Sequence, residues 1–423
     1  MQFHNDHWNL NLAAQPIAWA FSFCFTCVVV GSLPELSSWT GVILLLAPAY
    51  GSLQTSPKLS PDDYFNDTYS RFVIILFSYM VALCFMPNGR ASATRDEVLD
   101  RDTSLKRGWK RAYNARGIAL VWENPYLWPE QKSTVVFAKP SKDTLKDKPI
   151  KAPVSRHSLA TRSKWSSVLI RLCYLLLNST LLSLFFEHRV SATIGYFTPA
   201  DMAPDKEGIL RRALQQLFSN EMPASPVTVR ELQIRALLAA NKFAPDVLFL
   251  SAFHDFLAIL FIATGIDESW EWPPLFGPLT EAYTMRRFWA NFWHRLVYKS
   301  FSFHASTFTK TLGIPQGTSF SRILNNCLVF VLSAMMHATV STLYGKRCAW
   351  GKGTMVFWCI QPLSFVIEGI FQHAWRKFRK GSLAWMNPSV LSALERGAGY
   401  GWVIAWLMWA APKADFAFQN CSA

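Results

Sequence analysis

Long runs of apolar residues, separated by polar and basic stretches, constrain this chain more than any other feature of its sequence. A helix needs about 20 mostly apolar residues to cross the hydrocarbon core of a bilayer, where every backbone polar group must be satisfied within the segment. The chain is 51% hydrophobic and only 17% charged, whereas soluble domains carry roughly 25% charged residues. We therefore expect an all-α protein, a polytopic transmembrane helical bundle with amphipathic helices at the membrane interface.

The apolar runs predict about eight membrane spans. These spans are Pro16–Leu33, Trp39–Leu53, Phe72–Met86, Val168–Phe186, Val247–Thr264, Ile323–Leu343, Met355–Phe371 and Gly399–Ala411. The second run contains Pro48 and the last run is short, so either can be broken or re-entrant. The N-terminus lacks a basic region and a small-residue cleavage site, so we expect the first span to be retained rather than removed as a signal peptide.

The placement of charge orients these spans. The net charge is +14, and residues 88–164 hold seventeen Lys and Arg against eight Asp and Glu. The positive-inside rule puts such a loop in the cytosol and the N-terminus in the lumen. The same tracing gives a second cytosolic basic loop, with Arg376, Lys377, Arg379 and Lys380. A third basic group would fall in the lumen, which indicates that one span is miscounted: Lys346, Arg347 and Lys352.

The charge pattern also divides the chain into three parts. Residues 1–87 hold N-terminal transmembrane helices, residues 88–164 a basic cytosolic loop, and residues 165–423 a transmembrane core. In the loop, "NARGIALVWENPYLWPE" has the aromatic composition of an interfacial segment, and "KPSKDTLKDKPIKAPVSRHS" that of a linker. Basic chains often bind nucleic acid. Here the charges flank membrane spans without a recognition module, so we expect no nucleic-acid partner.

The cysteines predict neither a disulfide framework nor a metal site. Cys24 and Cys27 form a C-x-x-C pair in the first span, but no second pair or nearby His completes a tetrahedral site. Four of the others lie within apolar runs, where a free cysteine behaves as a small hydrophobe: Cys84, Cys173, Cys327 and Cys359. We interpret the C-x-x-C pair as part of the core and expect no metal.

Residues 286–301, "RRFWANFWHRLVYKSF", suit neither a plain span nor a soluble helix. At about 100° per residue, the polar side chains form one stripe on a helix. The stripe consists of Arg287, Asn291, His294 and Tyr298. The spacing predicts one amphipathic helix in the membrane interface, with aromatic residues towards lipid or protein and basic residues towards water. On composition alone, a mere anchor helix is an equal alternative.

A second polar feature is His337, deep in the apolar run "NNCLVFVLSAMMHATVSTLYG". An ionisable side chain inside the membrane is costly and marks a functional site by default. A lone histidine there is more often a core residue bonded to a neighbouring helix. The Asn- and His-bearing segment just upstream shifts the interpretation towards function.

These two features together resemble the wax synthase branch of the membrane-bound O-acyltransferases. "RRFWANFWH" resembles the family's R-x-F-W-x-x-x-W-H motif, and "SAMMHA" resembles its small-residue helix that ends in a buried histidine. "ARGIALVWENP" is similar, more weakly, to a segment that precedes them in these chains. Chains of this size and style are common in fungi, where members acylate terpenoid alcohols in secondary metabolism. The resemblance therefore implies an enzyme of the endoplasmic reticulum membrane.

The resemblance also implies a reaction and roles. An acyl group, which we expect to be acetyl, would pass from acyl-CoA as co-substrate to the hydroxyl of a hydrophobic alcohol. His337 would be the general base, and Asn291 and His294 would orient it or donate to the developing oxyanion. The CoA phosphates would meet the basic residues of the motif, Arg286, Arg287 and Arg295. Neither a tightly bound cofactor nor an obligate protein partner is implied; the partners are the two substrates and the bilayer.

Several alternatives stay open. A long-chain wax ester synthase is the alternative within the family. Outside it, "DDYFND" (residues 62–67) suggests a prenyl-diphosphate enzyme, although no second acidic cluster faces it. A transporter could use His337, His254 and Asp255 as a proton relay, although the two halves of the chain do not match. His254, Asp255 and Glu368 could also line a substrate tunnel or form structural pairs between helices.

Overall fold

The structure, a computed structural model, is helical wherever it shows regular elements. It describes residues 10–86, 104–118, 123, 127, 163–187, 198–219, 225–345, 350, 353–382 and 385–419. These ranges contain no β-strand. The predicted all-α class is confirmed.

The α-helices are numbered here in chain order. They are α1 Leu10–Ser32, α2 Ser38–Thr55, α3 Asp63–Phe85, α4 Ser104–Ala112, α5 Lys164–Glu187, α6 Ile209–Phe218, α7 Val229–Thr264, α8 Tyr298–Thr311, α9 Ser319–Leu343, α10 Thr354–Cys359, α11 Gln361–Ser382, α12 Pro388–Ala410 and α13 Pro412–Gln419. Short 3₁₀ turns lie at Ser56–Lys58, Pro199–Met202, Pro204–Lys206, Ser269–Glu271 and Leu279–Glu281.

Six helical segments in the described residues are long and apolar enough to cross a membrane. They are Ala13–Ser32, Asp63–Phe85, Lys164–Phe185, Val229–Thr264, Ser319–Leu343 and Thr354–Arg379. Each overlaps one of the predicted spans. The other two predicted spans form α2 and part of α12, which are helical but fall outside these six. The chain is thus an integral membrane protein with a helical bundle, and the predicted number of spans holds only approximately.

Two helices begin well before the spans predicted within them. The third span was expected from Phe72, but α3 already begins at Asp63. The fifth was expected from Val247, but α7 begins at Val229 and contains Pro245. At 1.5 Å per residue, the 36 residues of α7 extend over about 54 Å, well beyond the hydrocarbon core of about 30 Å. Charged residues just outside the predicted spans therefore lie inside helices.

The N-terminal helices pack around a core of mixed aromatic and aliphatic residues. This N-terminal core contains Phe23, Cys27, Leu45, Tyr79 and Leu83 among its buried residues. Part of the predicted cytosolic loop joins it, because α4 lies against α1 through Gly108: a Cβ atom there would lie only 2.3 Å from the Val28 carbonyl oxygen. Most of the loop, including the predicted linker and nearly all of residues 119–130, lies outside the described residues, as do Lys346, Arg347 and Lys352.

A second core surrounds the motif and brings α7, α9, α10, α12 and α13 together. This motif core includes Met285, Phe288, Trp293, Phe357 and Trp406, all buried. Many of its residues are aromatic. In contrast to the motif segment, α5 lies on the outside of the bundle, with most of its residues exposed. The motif segment is therefore an internal part of the bundle.

Candidate active site

The motif segment does not form the single amphipathic helix that its spacing predicts. Met285–Arg287 is a short α-turn and Phe288–Phe292 a π-turn, closed by the Trp293 N–H donating to the Phe288 carbonyl at 2.7 Å. Trp293 is extended (φ −65°, ψ 147°), and helix resumes only at Tyr298 in α8. The predicted polar stripe is therefore broken. Single π-turns are rare and frequently mark functional sites.

The aromatic side chains of this segment lie in the protein interior. Phe288 is 4% and Trp293 7% exposed. Both rings meet Phe243 of α7 edge-on, with centroids at 5.4 and 5.2 Å. Trp289 contacts Phe330 of α9 at 5.4 Å. Because these contacts come from helices on several sides, the segment is held within the bundle and does not act as a simple surface anchor.

His337 of α9 shares an aromatic enclosure with the motif segment. Its ring stacks on Trp358 of α10, with centroids 4.4 Å apart and planes 10° apart. Trp358 in turn meets Trp289, at 5.5 Å. The indole nitrogens of Trp289 and Trp358 are buried without a hydrogen-bond partner in the described part of the chain. The two sequence features that suggested function thus meet in one place.

His294 follows the π-turn and packs between Trp293 and Phe276, with ring centroids at 5.2 and 5.6 Å. Its Nδ1 atom is buried and, among the described residues, has no hydrogen-bond partner. Burial lowers the pKa of His294 to about 4, against the opposing effect of the Asp246 carboxylate. His294 and His337 also lie close enough to interact electrostatically. His294 is therefore uncharged at neutral pH, and its imidazole offers one hydrogen-bond donor and one acceptor.

Asn291 shapes the site through its backbone. The Gly277 N–H donates to the Phe292 carbonyl at 2.8 Å. A Cβ atom at Gly277 would lie 1.8 Å from the Asn291 carbonyl oxygen, so only glycine permits this approach. The partly buried Asn291 side chain makes no hydrogen bond to any described residue.

The three predicted CoA-binding arginines do not form one cluster. The exposed Arg286 donates from its guanidinium to the Phe365 carbonyl at 3.1 Å. Arg287 pairs with Glu281 and lies over the Tyr283 ring, 4.5 Å from its centroid. Arg295 lies beyond the π-turn.

Arg295 contacts Tyr298, with its guanidinium 4.0 Å from the ring centroid, and donates to the Ala290 carbonyl at 3.4 Å. Arg396 of α12, which the sequence did not single out, lies on the same Tyr283 ring as Arg287, at 5.3 Å. Arg287 and Arg396 thus both contact the Tyr283 ring, whereas Arg295 contacts the Tyr298 ring.

A charged network near the histidines was also missed by sequence reasoning. Arg71 of α3 pairs with Asp67 on its own helix and with Asp246 of α7 at 3.5 Å. The Tyr64 hydroxyl donates to Asp246 at 2.8 Å. Arg71 interacts electrostatically with both histidines. The i, i+4 spacing of Asp67 and Arg71 indicates an ion pair in the sequence. The predicted spans that begin at Phe72 and Val247 leave these charges outside.

The remaining polar candidates have structural partners. Asp62 caps α3 by accepting from the Tyr64 N–H at 2.9 Å, and Glu368 accepts from the Arg286 backbone N–H at 3.2 Å. His254 and Asp255 bind arginines from other parts of the chain. The described residues contain no cluster of three His, Cys, Asp or Glu that could hold a metal ion.

An apolar groove of about 450 Å³ opens beside the motif segment. Phe288 and Phe292 of the motif segment line it, together with Ile404 of α12. The lining from α7 includes small side chains such as Ala240 and Ala244 beside the larger Phe243. All of its lining side chains are hydrocarbon or thioether, so the groove suits a hydrophobic molecule.

The fold and site define a helical integral membrane protein with a histidine site enclosed by aromatic residues. Residues 272–360, which contain both the motif segment and His337, match the model described as "Membrane bound O-acyl transferase family". The match confirms the resemblance drawn from the motifs: residues 272–360 are similar to the membrane-bound O-acyltransferases.

The curated relatives are fungal acetyltransferases. The acetyltransferase aurG of Calcarisporium arbuscula is 31% identical over 190 residues, which cover 44% of this chain and 44% of aurG. The acetyltransferase ataH of Aspergillus terreus is 31% identical over 169 residues, 40% of this chain and 53% of ataH. The acetyltransferase TRI7 of Fusarium sporotrichioides is 28% identical over 161 residues, 38% of this chain and 36% of TRI7. The chain thus spans about half or less of these relatives. No solved structure matches the chain.

Proposed function

We propose that this protein transfers an acetyl group from acetyl-CoA to the hydroxyl of a hydrophobic alcohol, such as a terpenoid, within the endoplasmic reticulum membrane. The observation that carries this proposal is the meeting of His337 and the motif segment around Trp358, beside an apolar groove. The names of the relatives, all acetyltransferases, support acetyl as the transferred group.

In the proposed reaction His337 is the general base. The alcohol hydroxyl gives its proton to the neutral imidazole as the oxygen attacks the thioester carbonyl carbon. The tetrahedral intermediate then expels the CoA thiolate as the carbon–sulfur bond breaks, and the imidazolium returns the proton to sulfur. The products are the acetate ester and CoA, and no covalent enzyme intermediate is required.

The negative charge that develops on the carbonyl oxygen needs hydrogen-bond donors. The Asn291 amide makes no bond to described residues, and the neutral His294 has an unpartnered Nδ1 atom. Either group can donate to the oxyanion, where one well-placed donor is worth about 3–4 kcal/mol. A protonated His294 beside His337 would oppose proton uptake by the base, and its pKa of about 4 avoids this.

The two substrates would approach from different surroundings. Arg287 and Arg396 share the Tyr283 ring, and the exposed Arg286 precedes Arg287 in the chain; all three are suited to the CoA phosphates. The groove contains no charged lining residue, and its volume of about 450 Å³ falls in the range of small-molecule sites. It therefore suits the hydrocarbon body of the alcohol. The role predicted for Arg295 stays a prediction, since it lies apart from the other three.

A membrane assay tests this function. Membranes containing the full chain would be incubated with labelled acetyl-CoA or palmitoyl-CoA and a panel of terpenoid alcohols of graded size. We expect ester formation from acetyl-CoA, and His337→Ala should lower kcat about 10²–10⁴-fold at equal protein abundance. His304→Ala is the matched control, because the His304 ring already hydrogen-bonds to the Ser78 carbonyl of α3. Transfer from palmitoyl-CoA alone would indicate a wax ester synthase, and full activity of His337→Ala would contradict the assigned base.

A further inference from the structure

The buried Arg116 and the largely buried Arg171 hold three consecutive backbone carbonyls that precede the motif. Arg116 donates to the Pro273 carbonyl at 2.9 Å and to the Pro274 carbonyl at 2.8 Å. Arg171 of α5 donates to the Trp272 carbonyl and pairs with Asp255 of α7 at 2.6 Å. The three carbonyls lie at the beginning of the range that matches the acyltransferase family, whereas both arginines lie outside it.

The need for side-chain donors follows from the sequence of this segment. Pro273 and Pro274 have no N–H and interrupt regular helix, so this stretch cannot rely on a helical hydrogen-bond ladder. Arginine supplies several donors in a fixed planar array and stays charged. Lys110 of α4 adds a further contact one residue earlier, pairing with Glu271 at 2.9 Å. The loop is therefore held by three separate elements.

His254 completes the network as an acceptor. Its Nε2 lies 3.2 Å from the Arg116 guanidinium. Because a guanidinium only donates, Nε2 must accept, and the proton of the imidazole is then on Nδ1, 3.8 Å from the Asp255 carboxylate. His254 and Asp255 thus support Arg116 and Arg171, which accounts for two polar residues inside an apolar helix.

The held segment contacts the candidate catalytic histidine two residues further along the chain. The Phe276 ring meets His294 at 5.6 Å and Trp293 at 5.3 Å. The next residue, Gly277, donates from its backbone N–H to the Phe292 carbonyl at 2.8 Å. A shift of the carbonyls at 272–274 would therefore move the surfaces that support His294 and the π-turn.

We propose that Arg116 and Arg171 are positioning residues for acyl transfer, which hold the 272–274 carbonyls so that Phe276 and Gly277 orient His294. This inference rests on the proposed function. Neither arginine contacts the motif itself; both act through the loop. Enzymes are sensitive to such support, because a displacement of about 1 Å can lower the rate about 10²-fold.

A second buried arginine network provides a matched control for fold stability. Arg212 of α6 is 3% exposed. It donates to the Lys206 and Ser225 carbonyls and to Glu231 at 2.8, 2.9 and 2.5 Å. This network resembles the first one in burial and bonding, but it joins α6 to the beginning of α7. Loss of Arg212 therefore tests the general effect of removing a buried arginine.

The experiment compares Arg116→Gln, Arg171→Gln and Arg212→Gln in the full chain, purified in nanodiscs. For the monodisperse fraction, kcat and the KM for acetyl-CoA would be measured, together with hydrogen exchange of peptides covering 275–298. We expect the first two variants to lower kcat about 10- to 100-fold with little change in KM, and to speed exchange in these peptides. Arg212→Gln should lower the yield or thermal stability but leave kcat and this exchange within about twofold of wild type, since it touches no part of the loop.

Two outcomes would overturn the inference. One is a normal kcat per folded molecule in both loop-contacting variants, with yield alone reduced as in the Arg212 control. The other is unchanged exchange at 275–298, which can be measured even if wild type transfers no acetyl group. If exchange is faster in the two variants but the wild-type protein transfers no acetyl group, the proposed function is contradicted and the positioning of the loop is not. If Arg116→Gln does not fold, Arg116→Lys decides, because it keeps the charge but loses the planar array of donors.

Discussion

The N-terminal core and the motif core solve the same problem, burial of polar atoms among apolar helices, in different ways. In the N-terminal core the Tyr79 hydroxyl donates to the Arg111 carbonyl at 2.8 Å, and the Tyr113 hydroxyl to the Cys24 carbonyl at 3.0 Å. In the motif core the indole nitrogens of Trp289 and Trp358 and the Nδ1 atom of His294 have no partner among the described residues. Buried polar atoms are normally satisfied, and each exception needs a reason.

The Ser52 and Tyr69 hydroxyls beside the N-terminal core are also unpartnered among the described residues, so the indication of a ligand comes from where the unpartnered groups of the motif core lie. The Tyr79 and Tyr113 hydroxyls tie regular helices to each other, so their hydrogen bonds serve the fold alone. The unpartnered groups of the motif core surround the π-turn and His337, where a thioester and a hydroxyl would supply the missing acceptors and donors. Three measurements test this contrast between the two cores.

His294→Ala should lower kcat about 10²–10³-fold, because it removes a proposed donor to the developing oxyanion. The assay would follow ester formation at equal abundance of folded protein. His304→Ala removes a histidine that is already bonded, to the Ser78 carbonyl at 3.1 Å, and should leave kcat near that of wild type. Equal and small effects in both variants would remove the distinction between the unpartnered and the satisfied histidine.

The lowered pKa of His294, about 4, also predicts how stability depends on pH. In the unfolded chain a histidine titrates near 6.5, so between pH 4 and 6.5 the unfolded state binds more protons than the folded state. Stability should therefore rise with pH through this window, by about 3 kcal/mol at most for this group, and fall as the medium is acidified. Thermal unfolding in detergent from pH 4 to 8 would show this slope.

The control for the pH experiment is His294→Gln, which cannot titrate in this range. Its stability should vary less between pH 4 and 6.5 than that of wild type. An identical pH profile in both proteins would mean that His294 is not buried in the neutral form.

Gly277→Ala should lower kcat without preventing folding, because a Cβ atom 1.8 Å from the Asn291 carbonyl must displace the π-turn. Overpacking of this kind typically costs about 1–3 kcal/mol. Gly51→Ala creates a similar contact among the N-terminal helices, 2.3 Å from the Trp19 ring, and should reduce stability but not the kcat of folded enzyme. Gly397→Ala, with no atom near its Cβ position, should be neutral.

Thermal unfolding and kcat of these three glycine variants separate the two cores. If Gly51→Ala lowers kcat as much as Gly277→Ala does, the π-turn has no special role. If Gly277→Ala is as mild as Gly397→Ala, the close approach of the loop to the motif is not required.

The sequence by itself determined the membrane class, the helical fold and the two features that define the site. These depend on local information: apolar runs of bilayer length, and a histidine whose neighbours along the chain are all apolar. His337 and the motif segment were both identified in this way, and they meet around Trp358. The extension of α3 and α7 before Phe72 and Val247 could not be predicted in this way, because hydropathy cannot recognise charges that are neutralised by a partner on another helix, as Arg71 and Asp246 are.

The backbone conformation of the motif segment and the partners of its charged side chains could be seen only in the tertiary structure. The polar residues between 287 and 298 repeat with the 3.6-residue period of a helix. In the structure this segment instead forms a π-turn followed by an extended residue, where Gly277 hydrogen-bonds to Phe292 and Phe243 packs against Phe288. Arg116 and Arg171 lie more than a hundred residues before the carbonyls that they hold. Such contacts depend on how distant segments converge, and no local pattern encodes that convergence, because side-chain spacing specifies one helix face but not what packs against it.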